Sequence, residues 1–211
     1  NDIPPLHREL FGVQVMSEKA HAKILSVDWS EALEVESVVG YVDINDLPNK
    51  EANLWGNLPF GKEPFFADGE VFFVGQAIGV ILASSKERAY EASRKVKVVY
   101  DELPRIISVE DGVQQKSFFP DRREVKLGDW ESAFKNSKYY LENTARLSAQ
   151  EHFYFEVQNC LVIPQEGGEL KVYSSTQNPT ETQLCAAQVT GVPANRVICR
   201  VKRLGGGFGG K

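Results

Sequence analysis

Arg196-Val197-Ile198-Cys199-Arg200-Val201-Lys202-Arg203-Leu204, running on into Gly205-Gly206-Gly207-Phe208-Gly209-Gly210-Lys211, is the stretch on which the fold reading turns. The first nine residues are apolar and basic in the manner of a strand, and they deliver the chain directly into a glycine loop. Five of the six positions from 205 to 210 are glycine. Each ordered glycine costs about 0.5–1 kcal/mol of backbone entropy, so something must approach this backbone closely. The string satisfies both the dinucleotide pattern GxGxxG and the opening of the P-loop pattern GxxxxGK, two loops that cradle phosphate. The first needs a following helix and an acidic residue about twenty positions on. The second needs Ser or Thr after Lys211. Neither position falls within the 211 residues, and both readings stay open on these residues alone.

Working outward, Asn178-Pro179 predicts a helix start, with the asparagine capping and the proline at the first helical position, and Gly191 predicts its stop. Cys160–Ile163 and Leu170–Tyr173 read as a hairpin around the two glycines of Pro164–Glu169. Lys138–Leu147 reads as a strand and Trp130–Asn136 as a short amphipathic helix. Residues 111–130, with Gly112, Pro120 and Gly128, have the composition of a connector. Before it, strands are expected at 11–15, 22–27 and 38–42, a short capped helix at Ser30–Leu33, and a loop over 45–64. Residues 69–83 read as one strand that ends covered on both faces. A helix capped by Ser85 and a strand at 97–100 follow. The expected organisation is α+β: a first domain over 1–110, the connector, and a second domain over 131–211.

Apolar residues make up 42% of the chain and charged residues 25%, with a net charge of -5. These are the proportions of a globular protein without the basic stripe of a nucleic-acid binder. Cys160, Cys185 and Cys199 are odd in number, contain no CxxC pair and lie among apolar neighbours, which predicts buried free thiols rather than disulfides or zinc. The start, Asn1 to His7, shows no secretory signal, and the apolar stretch Phe72–Ala83 is too short to cross a bilayer. The expected compartment is the cytoplasm, with no membrane partner. His7 and His21 stand isolated and carry no expected role. Glu151, His152 and Glu156 crowd together, but alternation along a strand would put Glu151 opposite His152, so no acid–base triad is expected.

Further segments accompany the glycine loop: Val74-Gly75-Gln76-Ala77-Ile78-Gly79, Val98-Val99-Tyr100-Asp101-Glu102-Leu103-Pro104, Gln150-Glu151-His152-Phe153-Tyr154-Phe155-Glu156 and Ser175-Thr176-Gln177-Asn178. In this order and spacing the set resembles the xanthine dehydrogenase and aldehyde oxidase family of molybdenum hydroxylases, nearly from end to end. The resemblance implies an α/β hammerhead domain followed by the first part of a molybdopterin-binding domain, in a fragment of a longer enzyme. It implies a molybdenum–molybdopterin cofactor, with iron–sulfur clusters, FAD and NAD as acceptor in the full enzyme. The strings look closer to the xanthine branch, which implies hydroxylation of hypoxanthine to xanthine and of xanthine to urate, by a homodimer in the cytoplasm or the peroxisome. An aldehyde oxidase and a standalone nucleotide-binding module are the alternatives.

By the same resemblance, Gln150, Gly207, Phe208 and Gly209 are the cofactor-binding candidates, and Gln150 and Phe208 the residues nearest the metal. A neutral amide at Gln150 can donate to an oxo ligand without adding charge. The glycines leave room for the cofactor, while Phe208 offers one bulky group to pack. The catalytic base and the purine-orienting residues of the family lie beyond Lys211, so no catalytic residue is expected here. Ser148-Ala149 stands where many relatives have two glycines, a departure that touches the backbone before Gln150.

Overall fold

The computed structural model describes residues 3–56, 61–119 and 124–211. Asn1 and Asp2 at the start, residues 57–60 of the expected loop and residues 120–123 of the expected connector, Pro120 among them, lie outside the described residues. The chain is α+β, as its sequence implied. It divides into two compact units, Asn1–Phe118 with Cys185–Ala194, and Phe119–Leu184 with Asn195–Lys211.

The first unit contains β1 (Phe11–Met16), β2 (Ala22–Asp28), α1 (Ser30–Leu33), β3 (Val38–Asp43), β4 (Leu54–Trp55), β5 (Glu63–Pro64), β6 (Glu70–Val71), β7 (Ala77–Ala83), α2 (Lys86–Ser93), β8 (Lys97–Glu102) and α3 (Val109–Gln114). β7 lies between β1 and β3 in one antiparallel sheet, and β2 lies between β6 and β8 in another. The unbroken apolar run of β7 follows from this placement. Ile81 and Ala83 point into a core with Val13, Val15, Trp29, Ala89 and Ala92, whereas Ile78 joins Ala22, Ala67 and Val71 in a second core. Odd and even positions of a strand face opposite ways, so both faces of β7 must be apolar. Full burial of a side chain such as Ile81 contributes about 1.5–3 kcal/mol. The Ser85 hydroxyl caps α2 by accepting from the Arg88 amide, and fully buried Ala89 and Ala92 bring the helix close against β1 and β7.

Several expectations change in this unit. The single strand expected over 69–83 is two, β6 and β7, because residues 72–76 form a turn. Buried Gln76 closes it by accepting from the Phe72 amide at 2.8 Å, and Gly75, at φ +93°, donates to the Ser17 carbonyl. The expected loop over 45–64 includes the short antiparallel pair β4–β5. The cap position of α1 falls on Trp29, which makes no side-chain cap, while the Ser30 hydroxyl bonds Asp28 instead. The expected connector opens inside α3, which Ser108 caps.

The second unit holds α4 (Trp130–Asn136), β9 (Cys160–Pro164), β10 (Leu170–Ser174), the first part of α5 (Pro179–Thr190) and β11 (Val197–Arg200). β10 is central, antiparallel to β9 with Leu170 opposite Pro164, and parallel to β11 with Leu170 opposite Val197. Gly167 and Gly168, both at positive φ, turn the hairpin. A parallel pair requires a crossover, which α5 supplies. Asn178 caps α5 through the Glu181 amide at 3.2 Å, and Gly191 ends it at φ +71°.

Three readings fail here. Residues 138–147 form no strand. Tyr139, Leu141 and Leu147 are 81%, 89% and 94% exposed, and no neighbouring strand among the described residues offers them backbone partners, without which an extended segment is not a sheet strand. β11 stops at Arg200 rather than Leu204. The thiols are free but none is buried, and Cys160 is exposed, because β9 is an edge strand.

Candidate cofactor-binding loop

The glycine loop leaves β11 and is tied down almost throughout by two side chains distant in sequence. One oxygen of Glu156, Oε2, accepts from the Gly205 amide at 2.8 Å, the Ser175 hydroxyl at 2.8 Å and the Lys211 ammonium at 3.1 Å. These donors hold the Glu156 pKa down at about 2, the Gly205 amide contributing most, then Ser175, then Lys211. The Lys211 side chain is fully buried and lies 4.6 Å from the centre of the Tyr154 ring. An ammonium removed from water requires such a counter-charge. Gln177 supplies the second tie: its Oε1 accepts from the amides of Gly209 at 2.8 Å and Lys211 at 3.4 Å, and its backbone N–H donates to the Lys211 carbonyl. Gln158 completes the set by donating to the Gly210 carbonyl and the Tyr154 hydroxyl.

The glycines are explained by this closure. A Cβ on Gly205 would lie 2.4 Å from Glu156 Cβ, one on Gly207 would lie 2.6 Å from Gln177 Oε1, and one on Gly210 would lie 2.9 Å from the rings of His152 and Tyr154. Close approach is therefore required, and the approaching groups in this structure belong to the chain itself. At the apex, Phe208 sits at φ +53° and is 73% exposed, so it is not the packed anchor expected. A non-glycine residue in this region is strained, and it is held there by the ties on both sides. The amides of Gly206, Gly207 and Phe208 have no partner among the described residues. Gly207 is buried, and a buried amide without a partner demands an acceptor. Three adjacent N–H groups at the tip of a tied loop are left to donate to an anionic or oxo ligand.

Gln150 lies outside this network. It is exposed, outside any strand, and without a hydrogen-bond partner among the described residues. The strand argument for 150–156 fails with it, since Phe153 adopts φ +48°. His152, two residues on, lies against Gly209 and Gly210. Two residues span at most about 7 Å, so the Cα of Gln150 lies within about that distance of His152. Glu156, Gln177 and Lys211 are the residues missed as candidates, although each stands in a segment already singled out. No acid–base role suits Glu156, whose carboxylate is fully ionised near neutrality and occupied by three donors.

Residues 1–104 match the aldehyde oxidase and xanthine dehydrogenase a/b hammerhead domain, and residues 109–211 match the molybdopterin cofactor-binding domain. The chain belongs to the xanthine dehydrogenase and aldehyde oxidase family. Within this family it is 61% identical to a xanthine dehydrogenase of Blastobotrys adeninivorans and 53% identical to one of Emericella nidulans, each over 212 residues and 100% of this chain. A nicotinate hydroxylase of Emericella nidulans is 44% identical over 216 residues. The chain spans only 15–16% of the length of these relatives. Its fold is shared with the Cu,Mo-CO dehydrogenase, at a TM-score of 0.82 and 22% identity over 99% of this chain and 29% of that one. The aldehyde oxidoreductase from Desulfovibrio gigas gives 0.80 and 23% over 95% and 24%. The family thus places a molybdopterin-binding domain on the residues that carry the loop.

Proposed function

We propose that this chain is the hammerhead domain (1–110), a connector (111–130) and the opening of the molybdopterin-binding domain (131–211) of a xanthine dehydrogenase that hydroxylates hypoxanthine to xanthine and xanthine to urate. The observation that carries the reading is the three amides of Gly206, Gly207 and Phe208, without a partner among the described residues, on a loop within a molybdopterin cofactor-binding domain. When bound, the molybdenum–molybdopterin group supplies the redox centre that oxidises the substrate carbon with oxygen from water. The three amides, with Gly209 holding the turn at φ +96°, would donate to its polar ligand atoms, and the Gln150 carboxamide would donate from the adjoining segment. Such donors stabilise negative charge without taking part in proton transfer. Iron–sulfur clusters, FAD and NAD as acceptor belong to the remainder of the proposed enzyme, a homodimer acting in the cytoplasm or the peroxisome.

The 44% identity to a nicotinate hydroxylase supports a second reading, in which the same chemistry acts on a different electron-poor ring; an aldehyde oxidase is the third. Purification of the full-length protein followed by assay with hypoxanthine, xanthine, nicotinate and an aromatic aldehyde decides among them. Xanthine is expected to give the highest kcat/KM. A preference for nicotinate or aldehyde, or a protein without molybdenum, would overturn the proposal.

A further inference from the structure

We infer that Glu156 is a positioning residue: one carboxylate oxygen gathers the Gly205 amide, the Ser175 hydroxyl and the buried Lys211 ammonium, and so fixes the loop that presents the amides of Gly206, Gly207 and Phe208. The donors come from both ends of the glycine loop, Gly205 and Lys211, and from Ser175 just after β10. The two loop contacts flank the apex on both sides, at 205 and 211, so the carboxylate closes the loop as a ring. Gln177 braces the same ring from within through Gly209 and Lys211. The apex is thereby shaped by the chain before any ligand arrives, which removes the ordering cost of binding. Only the identity of the apex ligand rests on the function proposed above; the latch itself does not.

Hydrogen–deuterium exchange of the full-length protein, in peptides covering 205–211, 170–174 and 11–16, tests the latch. Glu156→Gln keeps the shape of the side chain but strands the Lys211 charge. It is expected to raise exchange across 205–211 by about tenfold while leaving the two strand peptides within about twofold, as local opening does. Lys211→Met is expected to do the same, and the double variant to exchange more slowly than the product of the two single effects, because it removes the stranded charge. Unchanged exchange in Glu156→Gln, an equal rise in all three peptides, or a fully multiplicative double variant would each overturn the inference. The positioning role is read separately from the visible absorption and Mo(V) EPR spectra of molybdenum-loaded protein, expected to shift in Glu156→Gln. Unaltered spectra alongside a freed loop would sink that role. A protein that carries no molybdopterin, yet frees its loop in Glu156→Gln, would sustain the latch and defeat only the proposed function.

Discussion

At the scale of single residues, the glycine loop shows how different two substitutions of the same kind can be. In Gly207→Ala the new methyl meets the Gln177 side chain from Cγ to Oε1, which can swing aside only by giving up its bonds to Gly209 and Lys211. In Gly205→Ala it meets Glu156 Cβ, which no rotamer change moves. Gly205→Ala is therefore expected to cause the larger loss of molybdenum content in the purified enzyme, measured by metal analysis; equal retention in both would refute the packing account. His21 offers a second residue-level prediction. Its Nδ1 lies 2.7 Å from the Pro104 carbonyl and its Nε2 2.8 Å from Glu70, two acceptors that only the imidazolium can serve together. The Pro104 carbonyl first, and Glu70 next, raise its pKa above 6.5. The stabilisation is then complete below pH 6.5 and is lost as pH rises through the raised folded value. The stability gap between the native chain and His21→Asn, from urea midpoints, is expected to be wide below pH 6.5 and to narrow as pH rises above it. A gap independent of pH would show that the ring acts by packing alone.

At the scale of elements, β7 gives the sharpest contrast. Gly79 lies where a Cβ would sit 2.7 Å from the Trp29 ring and 2.8 Å from the Val42 carbonyl, whereas Gly40 on neighbouring β3 faces open space. Trp29 has little freedom to yield, since it stacks on Tyr41 at 4.4 Å. Gly79→Ala is expected to destabilise by about 1–3 kcal/mol and Gly40→Ala by less than about 0.5 kcal/mol, as read from denaturation midpoints. The same elements show what a sequence can reveal. β7 and α2 were legible because their evidence is local: an apolar run, a serine cap, alanines at helical spacing. Residues 138–147 were not, because a strand depends on a partner that periodicity does not name. The glycine loop was legible as a site, but its ties were not. Gly205 and Glu156 are 49 positions apart, and Gly209 and Gln177 are 32 apart, so nothing in the spacing of charges announces the pairing. The grouping of 150–156, 175–178 and 200–211 by resemblance held the needed information: the structure brings residues of all three segments together at the loop.

At the scale of the molecule, the two units differ in how much of their apolar surface they cover. The first unit closes two cores around β7 and β2. In the second, Val125, Leu127, Leu141, Leu147 and Phe155 are each 89–99% exposed, and its fully buried large residues are Val172 and Val197. Exposed apolar surface of this kind is covered in stable soluble proteins, by partners or by further chain. This accords with a chain that spans 15–16% of its relatives. The 211 residues expressed alone are therefore expected to bind a hydrophobic dye strongly, to lose that binding in the full-length protein, and to turn over no xanthine even when supplied with molybdopterin cofactor. The apex amides alone supply neither a proton acceptor nor a substrate pocket, and Glu156, the carboxylate tied to the loop, is held fully ionised by its three donors. Xanthine oxidation by the isolated chain would mean that the loop and its latch suffice for chemistry, and the assignment of Glu156 to positioning would have to be abandoned.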